Sequence, residues 1–355
     1  MKLRIIGLLL AIFIPTAWSC TGIQLKTKDN AFVSGRTVEF GLNLDLGGVF
    51  IPRNYAFKGT LPDGSPGLSY TAKYAAIGGG MFGEMAISDG INEKGLSIGD
   101  FYFPGYAGYA TITPQNKNNA LSPTEFSNWI LTQFSTVDEV KQGLKSVVIA
   151  PTTPKGWPVL PPFHYIVYDK TGKSIVIEPI NGQLKVYDNP LGVMTNSPAF
   201  DWHMTNLASY INLSPLNAPP VEVDGFKLQQ FGQGSGLHGL PGDFTSPSRF
   251  VRAAVFSSAA ILADNADQAV LQAFHILNQF DIPMGSVRAM ENKTVVAEYT
   301  LATIVRDPQS LKLYFRTFND QSIKMVNLNA FDLNAKQIKT FSMQGTQQVI
   351  DISKS

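Results

Sequence analysis

The chain has 355 residues, 44% hydrophobic and 15% charged, which is ample apolar sequence for a large core in one domain or two. Its formal net charge is +1 with no block of like charges, so it lacks the basic face that nucleic acid or an anionic membrane requires. Both partner classes are set aside on that ground.

The first nineteen residues read as a separate unit. Lys2 and Arg4 give a positive start, residues 5–14 an apolar run, and Ala17-Trp18-Ser19 small residues two apart, the pattern of a secretory signal that is cut away. The run falls well short of the ~20 residues that span a bilayer, and no comparable stretch follows. The mature protein is therefore expected to be exported, periplasmic or secreted, without stable membrane insertion. Cys20, the single cysteine, follows Ser19 directly and cannot form an internal disulfide.

Residues 22–27 and 31–40 read as the strands of a hairpin turned by Asp29-Asn30. A two-residue loop there sets Cys20 opposite Glu39 and Ile23 opposite Arg36. Ser122-Pro123-Thr124-Glu125 has the cap, first-turn proline and capping-box glutamate of a helix start, and Thr136-Val137-Asp138-Glu139 repeats the pattern. Residues 164–168, 174–178 and 183–187 form an antiparallel meander broken by turn residues. A second helical pair covers about 248–262 and 266–280, with Asn265 as a cap, before strands at 295–305, 311–318 and 323–328. Strands first and last with helical pairs between them predict a layered α+β sandwich. With no fixed-period repeat and no flexible linker, residues 20–355 are treated as one domain.

Cutting after Ser19 leaves Cys20 with a thiol and a free α-amine on one residue. An α-amine, with an ordinary pKa of ~7.7–8.0, can take the thiol proton at neutral pH and later protonate a leaving nitrogen, so no histidine is needed. Before the cut the same nitrogen is an amide, which makes the precursor silent. Two other readings stand beside this one: Cys20 as the lipid attachment point of a bacterial lipoprotein, which Ala17 and Trp18 fit poorly, and Cys20 as a passive residue.

Elsewhere the sequence offers little chemistry. His164, His203, His238 and His275 are scattered without paired metal spacing, so structural roles are expected and no metal or cofactor is called for. Gly232-Gln233-Gly234-Ser235-Gly236 lacks the Gly-Lys-Ser/Thr of a phosphate loop and reads as a tight loop near the site. Asn212-Leu213-Ser214 and Asn292-Lys293-Thr294 are glycosylation sequons.

Several blocks, taken in order, carry a resemblance. Cys20-Thr21-Gly22 and Gly35-Arg36-Thr37-Val38-Glu39 are followed by Ile51-Pro52-Arg53-Asn54-Tyr55 and Asp89-Gly90-Ile91-Asn92-Glu93-Lys94-Gly95-Leu96. Later come Thr195-Asn196-Ser197-Pro198, Phe200-Asp201-Trp202-His203, the 239–245 run and Ser248-Arg249-Phe250. Over essentially the whole mature length the chain resembles the choloylglycine hydrolase family, which includes bile salt hydrolases and penicillin V acylases. The resemblance implies an α+β, four-layer αββα sandwich of two antiparallel sheets, the N-terminal nucleophile hydrolase fold. It also implies hydrolysis of linear, non-peptide amides such as conjugated bile salts, penicillin V or N-acyl homoserine lactones, by a homo-oligomer that in this family is often a tetramer.

Carried over by resemblance, Cys20 is the nucleophile, Arg36 the charge beside it and Arg249 a second supporting arginine. Asn196 supplies an oxyanion donor through its side-chain amide, and Tyr102 a second through its backbone N–H. At the latter position bile salt hydrolases tend to carry asparagine and penicillin V acylases tyrosine. Phe40, Met81 and Phe82 fall where the family lines its acyl pocket. Glu39 stands where the family commonly has aspartate, one methylene shorter, and is expected to hold the ammonium form of the Cys20 amine. Arg36 and Glu39 are three apart, so an ideal strand points them to opposite faces, and a bulge or bend is expected between them. The alternative function is a lipid-anchored envelope protein on the same fold, with Cys20 acylated.

Overall fold

The computed structural model describes residues 19–291 and 293–353; the expected export signal lies outside them apart from Ser19. The chain enters a first sheet with β1 (Cys20–Lys26) and β2 (Phe32–Phe40). It crosses to a second for β3 (Gly47–Ile51), β4 (Ala76–Gly80), β5 (Asp89–Asn92) and β6 (Ser97–Tyr102), continuing with β7 (Phe163–Tyr168), β8 (Ser174–Ile180) and β9 (Gln183–Asp188). It returns to the first as β10 (Val287–Glu291), β11 (Thr294–Asp307), β12 (Lys312–Thr317) and β13 (Asp320–Asn327), and ends on the second with β14 (Lys339–Ser342). The first sheet is ordered β1-β2-β11-β12-β13 with β10 also on β11, and the second β9-β8-β7-β6-β5-β4-β3-β14. Every pairing within them is antiparallel.

Helices cover both outer faces. Helix α1 (Pro123–Gln133) starts on the expected capping box, Ser122 Oγ accepting from Glu125 N–H while Glu125 accepts from Ser122 N–H, and α2 (Val137–Gly143) starts on Thr136. Helix α1 packs on β5 and β6. Helix α3 (Phe200–Leu207) begins without a side-chain cap, and sequence reading missed it for want of that signal. Helices α4 (Ser246–Ala259) and α5 (Ala266–Leu277) pack on β1, β2 and β11, with Asn265 capping α5 as expected. The layers are therefore helix, sheet, sheet, helix. Val38, Phe40, Ile77, Ile91, Ile304 and Phe315 fill the space between the sheets, and Ile23, Val33, Phe250, Ala273 and Leu277 seal α4 and α5 to the first. Among the described residues no helix is long and apolar enough to cross a membrane.

The β1–β2 register differs from the expectation by one residue. Lys26 pairs with Phe32 and Cys20 with Val38, because the turn holds three residues and ends on Asn30 at φ 63°, in the left-handed region that asparagine tolerates. A one-residue slip exchanges the faces of a strand. Cys20 thus shares a face with Gly22, Arg36 and Val38, not with Glu39. That face looks at the second sheet, since a Cβ on Gly22 would meet Phe101 and Tyr168, whereas one on Gly35 would meet Leu277 of α5.

Candidate active site

Cys20 opens β1 and is buried. On its face lies Arg36, fully buried, with its guanidinium 3.9 Å from the centre of the Phe101 ring. Arg36 donates to the carbonyls of Thr37 and Asp100 and sits 3.8 Å from Asp89, whose carboxylate also accepts from Arg306 at 3.2 Å. Burial pushes the Cys20 thiol up; Arg36 is the main opposing charge, Arg249 adds to it, and Glu39 works the other way. Burial prevails, so the thiol needs a base to become a nucleophile at neutral pH.

The opposite face of the strand carries a second group of charges. Glu39 is buried there and accepts from Thr300 Oγ1 at 3.1 Å. Burial drives its carboxyl up to about 8, with Arg249 pulling down and nearby Glu298 pushing further up. The bulge or bend expected between Arg36 and Glu39 is absent, since β2 is continuous; the irregularity falls instead in β11, which bulges at Leu301, Thr300 facing Glu39 and Ala302 facing Val38. Arg36 and Glu39 accordingly stay on opposite faces and flank Cys20 from two sides.

Arg249, on α4, ties the pieces together. Its Nη1 donates to the Cys20 carbonyl and to Thr21 Oγ1, its Nη2 to Asn196 Oδ1 at 2.7 Å, and its Nε to the Phe244 carbonyl. Asn196 Oδ1 also accepts the Cys20 N–H at 2.7 Å, and its Nδ2 donates to the Tyr102 carbonyl at 2.8 Å. Only one of the two Nδ2 hydrogens is accounted for among the described hydrogen bonds. Phe103 N–H donates to the Pro162 carbonyl, so antiparallel alternation turns the N–H and C=O of Tyr102 to the other edge of β6, the edge Asn196 reaches. Two histidines fix the Asn196 segment: His164 Nε2 lies 3.0 Å from the Thr195 carbonyl oxygen and His203 Nε2 2.9 Å from that of Asn196. Burial lowers His203 to about 4, so its ring is neutral and donates there.

The structure thus gathers Cys20, Arg36, Glu39, Tyr102, Asn196 and Arg249. It does not gather the three acyl-pocket candidates into one cavity. Phe40 ends β2 on the Cys20 face, buried between the sheets, and Met81 is buried beyond β4. Phe82, at φ 53°, is tied by its N–H to the Leu44 carbonyl and lines a cavity of about 580 Å³ with Tyr55, Phe57, Tyr70 and Glu84. Phe40, Met81 and Cys20 are not on its wall. The glycine-rich 232–236 loop, expected near the site, is largely exposed and bonds to Asn217 and Ala218. Sequence reading missed Asp89, Asp100, Glu298 and Arg306; the available signal was a charge inside an otherwise apolar strand, as at Glu298 and Arg306 in β11. Among the described residues no three His, Cys, Asp or Glu side chains gather as metal ligands.

Residues 20–341 match the family described as linear amide C-N hydrolases, choloylglycine hydrolase family. The bile salt hydrolase/transferase of Clostridium perfringens is 35% identical over 332 residues, 93% of this chain and 98% of that protein. A crystal structure of a mutant conjugated bile acid hydrolase from Clostridium perfringens matches with a TM-score of 0.84 at 33% identity, over 94% of this chain and 100% of that one. The penicillin V acylase of Agrobacterium tumefaciens shares the fold, with a TM-score of 0.74 at 20% identity over 90% of each chain. The chain belongs to the choloylglycine hydrolase family and is a linear amide C–N hydrolase with the N-terminal nucleophile hydrolase fold.

Proposed function

We propose that Cys20, freed as the first residue when residues 1–19 are removed from an exported, periplasmic or secreted chain, is the nucleophile that hydrolyses N-acyl amides with a bulky apolar acyl part. The observation that carries this reading is the setting of one nitrogen: Cys20 N lies 2.7 Å from Asn196 Oδ1, Arg249 holds the carbonyl of the same residue, and Arg36 lies on the thiol's face. In the mature chain that nitrogen is an amine and takes the thiol proton. The sulfur adds to the amide carbonyl, and the second Nδ2 hydrogen of Asn196 with the Tyr102 N–H holds the oxyanion. The ammonium returns its proton to the leaving nitrogen as the C–N bond breaks. Water then cleaves the thioester, releasing the acid and the thiol.

Conjugated bile salts, penicillin V and N-acyl homoserine lactones all fit this chemistry. Identity to a bile salt hydrolase favours the first, Tyr102 the second. The test is the mass of the mature N-terminus together with turnover of the three substrates. A free Cys20 and release of acid from at least one are expected. A mature chain that starts elsewhere refutes the mechanism, as does a diacylglyceryl group on Cys20, the anchored alternative, which the relatives' hydrolase names do not support.

A second reading adds acyl transfer to an amine in place of water, favoured by relatives that are named hydrolase/transferase. Product analysis with and without added amine separates the two. The expected homo-oligomer is supported by a protruding hairpin, Val221–Val223 with Phe226–Leu228, whose apolar side chains are at least half exposed beside a fully exposed Phe231. Sedimentation of the mature protein, with and without charge placed at Phe226, reads that state.

A further inference from the structure

β11 carries a carboxylate that the resemblance assigns no role. Glu298 is 5% exposed and lies two residues from Thr300, the partner of Glu39, hence on Glu39's face of the sheet. Its Oε1 accepts the Ser19 N–H at 2.6 Å and its Oε2 the Ser19 hydroxyl at 3.2 Å. Successive backbone nitrogens are less than about 4 Å apart, so this carboxylate stands within one side-chain rotation, or one water, of Cys20 N.

Two acidic side chains and one guanidinium surround that nitrogen. Glu39 faces it from β2, Glu298 from β11 and Arg249 from α4; Asp243 lies behind Arg249, and Arg36 on the thiol's face is shared with Asp89. On the helix side two carboxyl groups thus share one guanidinium, and burial keeps the proton on Glu39 up to about 8, so the site ionises both only when a second positive charge stands there. Cutting the Ser19–Cys20 bond creates an ammonium at that spot. The same cut removes both donors that Ser19 gave Glu298, and burying a carboxylate without partners is costly.

We propose that Glu298 is a positioning residue for the new α-ammonium of Cys20, anchoring the last leader residue before cleavage and the ammonium afterwards. The proposal rests on Cys20 being the mature N-terminus. It concerns one proton: the thiol S–H bond breaks, the amine nitrogen gains the proton, Glu298 balances the ammonium that results, and the proton leaves with the departing amine. An opposite charge at this range raises an amine's pKa by about one unit or more.

The test is the pH profile of kcat/KM for mature wild type, Glu298→Gln and Glu298→Asp, each with its N-terminus read by mass spectrometry. In Glu298→Gln the acid limb, where the amine must lose its proton, is expected to move down by about one pH unit with KM unchanged, and Glu298→Asp to restore it. A correctly processed, folded Glu298→Gln whose limb stays in place overturns the proposal. A wild type without free Cys20 overturns instead the reading beneath it. If the glutamine variant does not fold, wild type decides: with one cysteine in the chain, [15N]cysteine labelling gives a single nitrogen signal to titrate. Its pKa is expected above the ~7.7–8.0 of a free α-amine, and a value within or below that range overturns the proposal.

Discussion

Replacing Asn196 by alanine removes three hydrogen bonds: those from Cys20 N and Arg249 Nη2, both 2.7 Å, and that to the Tyr102 carbonyl, 2.8 Å. Arg249 is left buried and short of one acceptor, and the Tyr102 carbonyl short of a donor. An unsatisfied buried group costs about 1–3 kcal/mol, more when charged, so the variant is expected to lose about 3–5 kcal/mol of stability. On the proposed mechanism it also loses an oxyanion donor, typically worth ~10²–10³ in kcat, or about 3–4 kcal/mol. The two losses are similar in size, so urea melts must accompany kinetics taken where circular dichroism shows a folded protein. The expected pattern is kcat down ~10²–10³-fold with KM little changed, since the donor acts on the developing oxyanion. Asn196→Asp separates the effects: it keeps acceptor oxygens for Arg249 and Cys20 N but has no N–H, and, although its second oxygen then faces the Tyr102 carbonyl, should recover the part of the stability that rests on Arg249 without recovering rate. A folded Asn196→Asp with near-normal kcat would refute the donor role.

Three further changes probe the same cluster. Cys20→Ser is expected to keep the fold and lose most turnover, because an alkoxide forms far less readily than a thiolate; near-normal activity would contradict the nucleophile assignment. Arg36→Met removes the chief charge opposing the upward shift of the thiol and leaves Asp89 to Arg306 alone. Alkylation of Cys20 at pH 7 should slow by about tenfold or more, with stability down by about 3–5 kcal/mol; an unchanged alkylation rate counts against the reading. Glu39 makes the unprocessed chain pH-sensitive: its folded carboxyl holds a proton up to about 8 against an ordinary 4.5. The unfolded chain therefore binds fewer protons between those values, and stability falls as pH rises through that window, by at most about 5 kcal/mol. Urea melts at pH 5 and pH 8 should show the fall in the unprocessed chain and a flatter profile in Glu39→Gln; parallel profiles would remove Glu39 as the cause.

What the sequence disclosed follows from how local each signal is. Capping residues fix a helix start within one turn, so Ser122, Thr136 and Asn265 announced α1, α2 and α5. The middle strands were harder because their glycines, which read as turn residues, serve close approach: a Cβ on Gly78 would lie 2.3 Å from the Asp89 carbonyl oxygen. Cys20 was marked by its place directly after Ser19, but Arg36, Asn196 and Arg249 were legible only through the order of their blocks, since the contacts joining Cys20 to Asn196 and Arg249 span 176 residues or more. Glu298 and Arg306 had no such context, and only a charge among apolar neighbours marked them.

The hairpin register shows how much rests on one turn residue. Had the turn held two residues, Cys20 and Glu39 would share a face and Arg36 would point into α5, where the Gly35 side already packs on Leu277. Asn30 in the left-handed region adds the third residue and sends the thiol towards the second sheet with Arg36. The backbone nitrogen of the same residue, lying in the plane of the sheet at the open end of β1, stays within reach of the opposite face. One residue therefore meets two electrostatic environments: Arg36 with Phe101 beside the sulfur, and Glu39, Glu298 and Arg249 around the nitrogen. Arg36 and Glu39, three apart in an unbroken strand, thus approach Cys20 from different faces with opposite effects on its thiol, and the alternation that seemed to require a kink in β2 is what keeps the arginine on the sulfur's face apart from the acidic groups on the other.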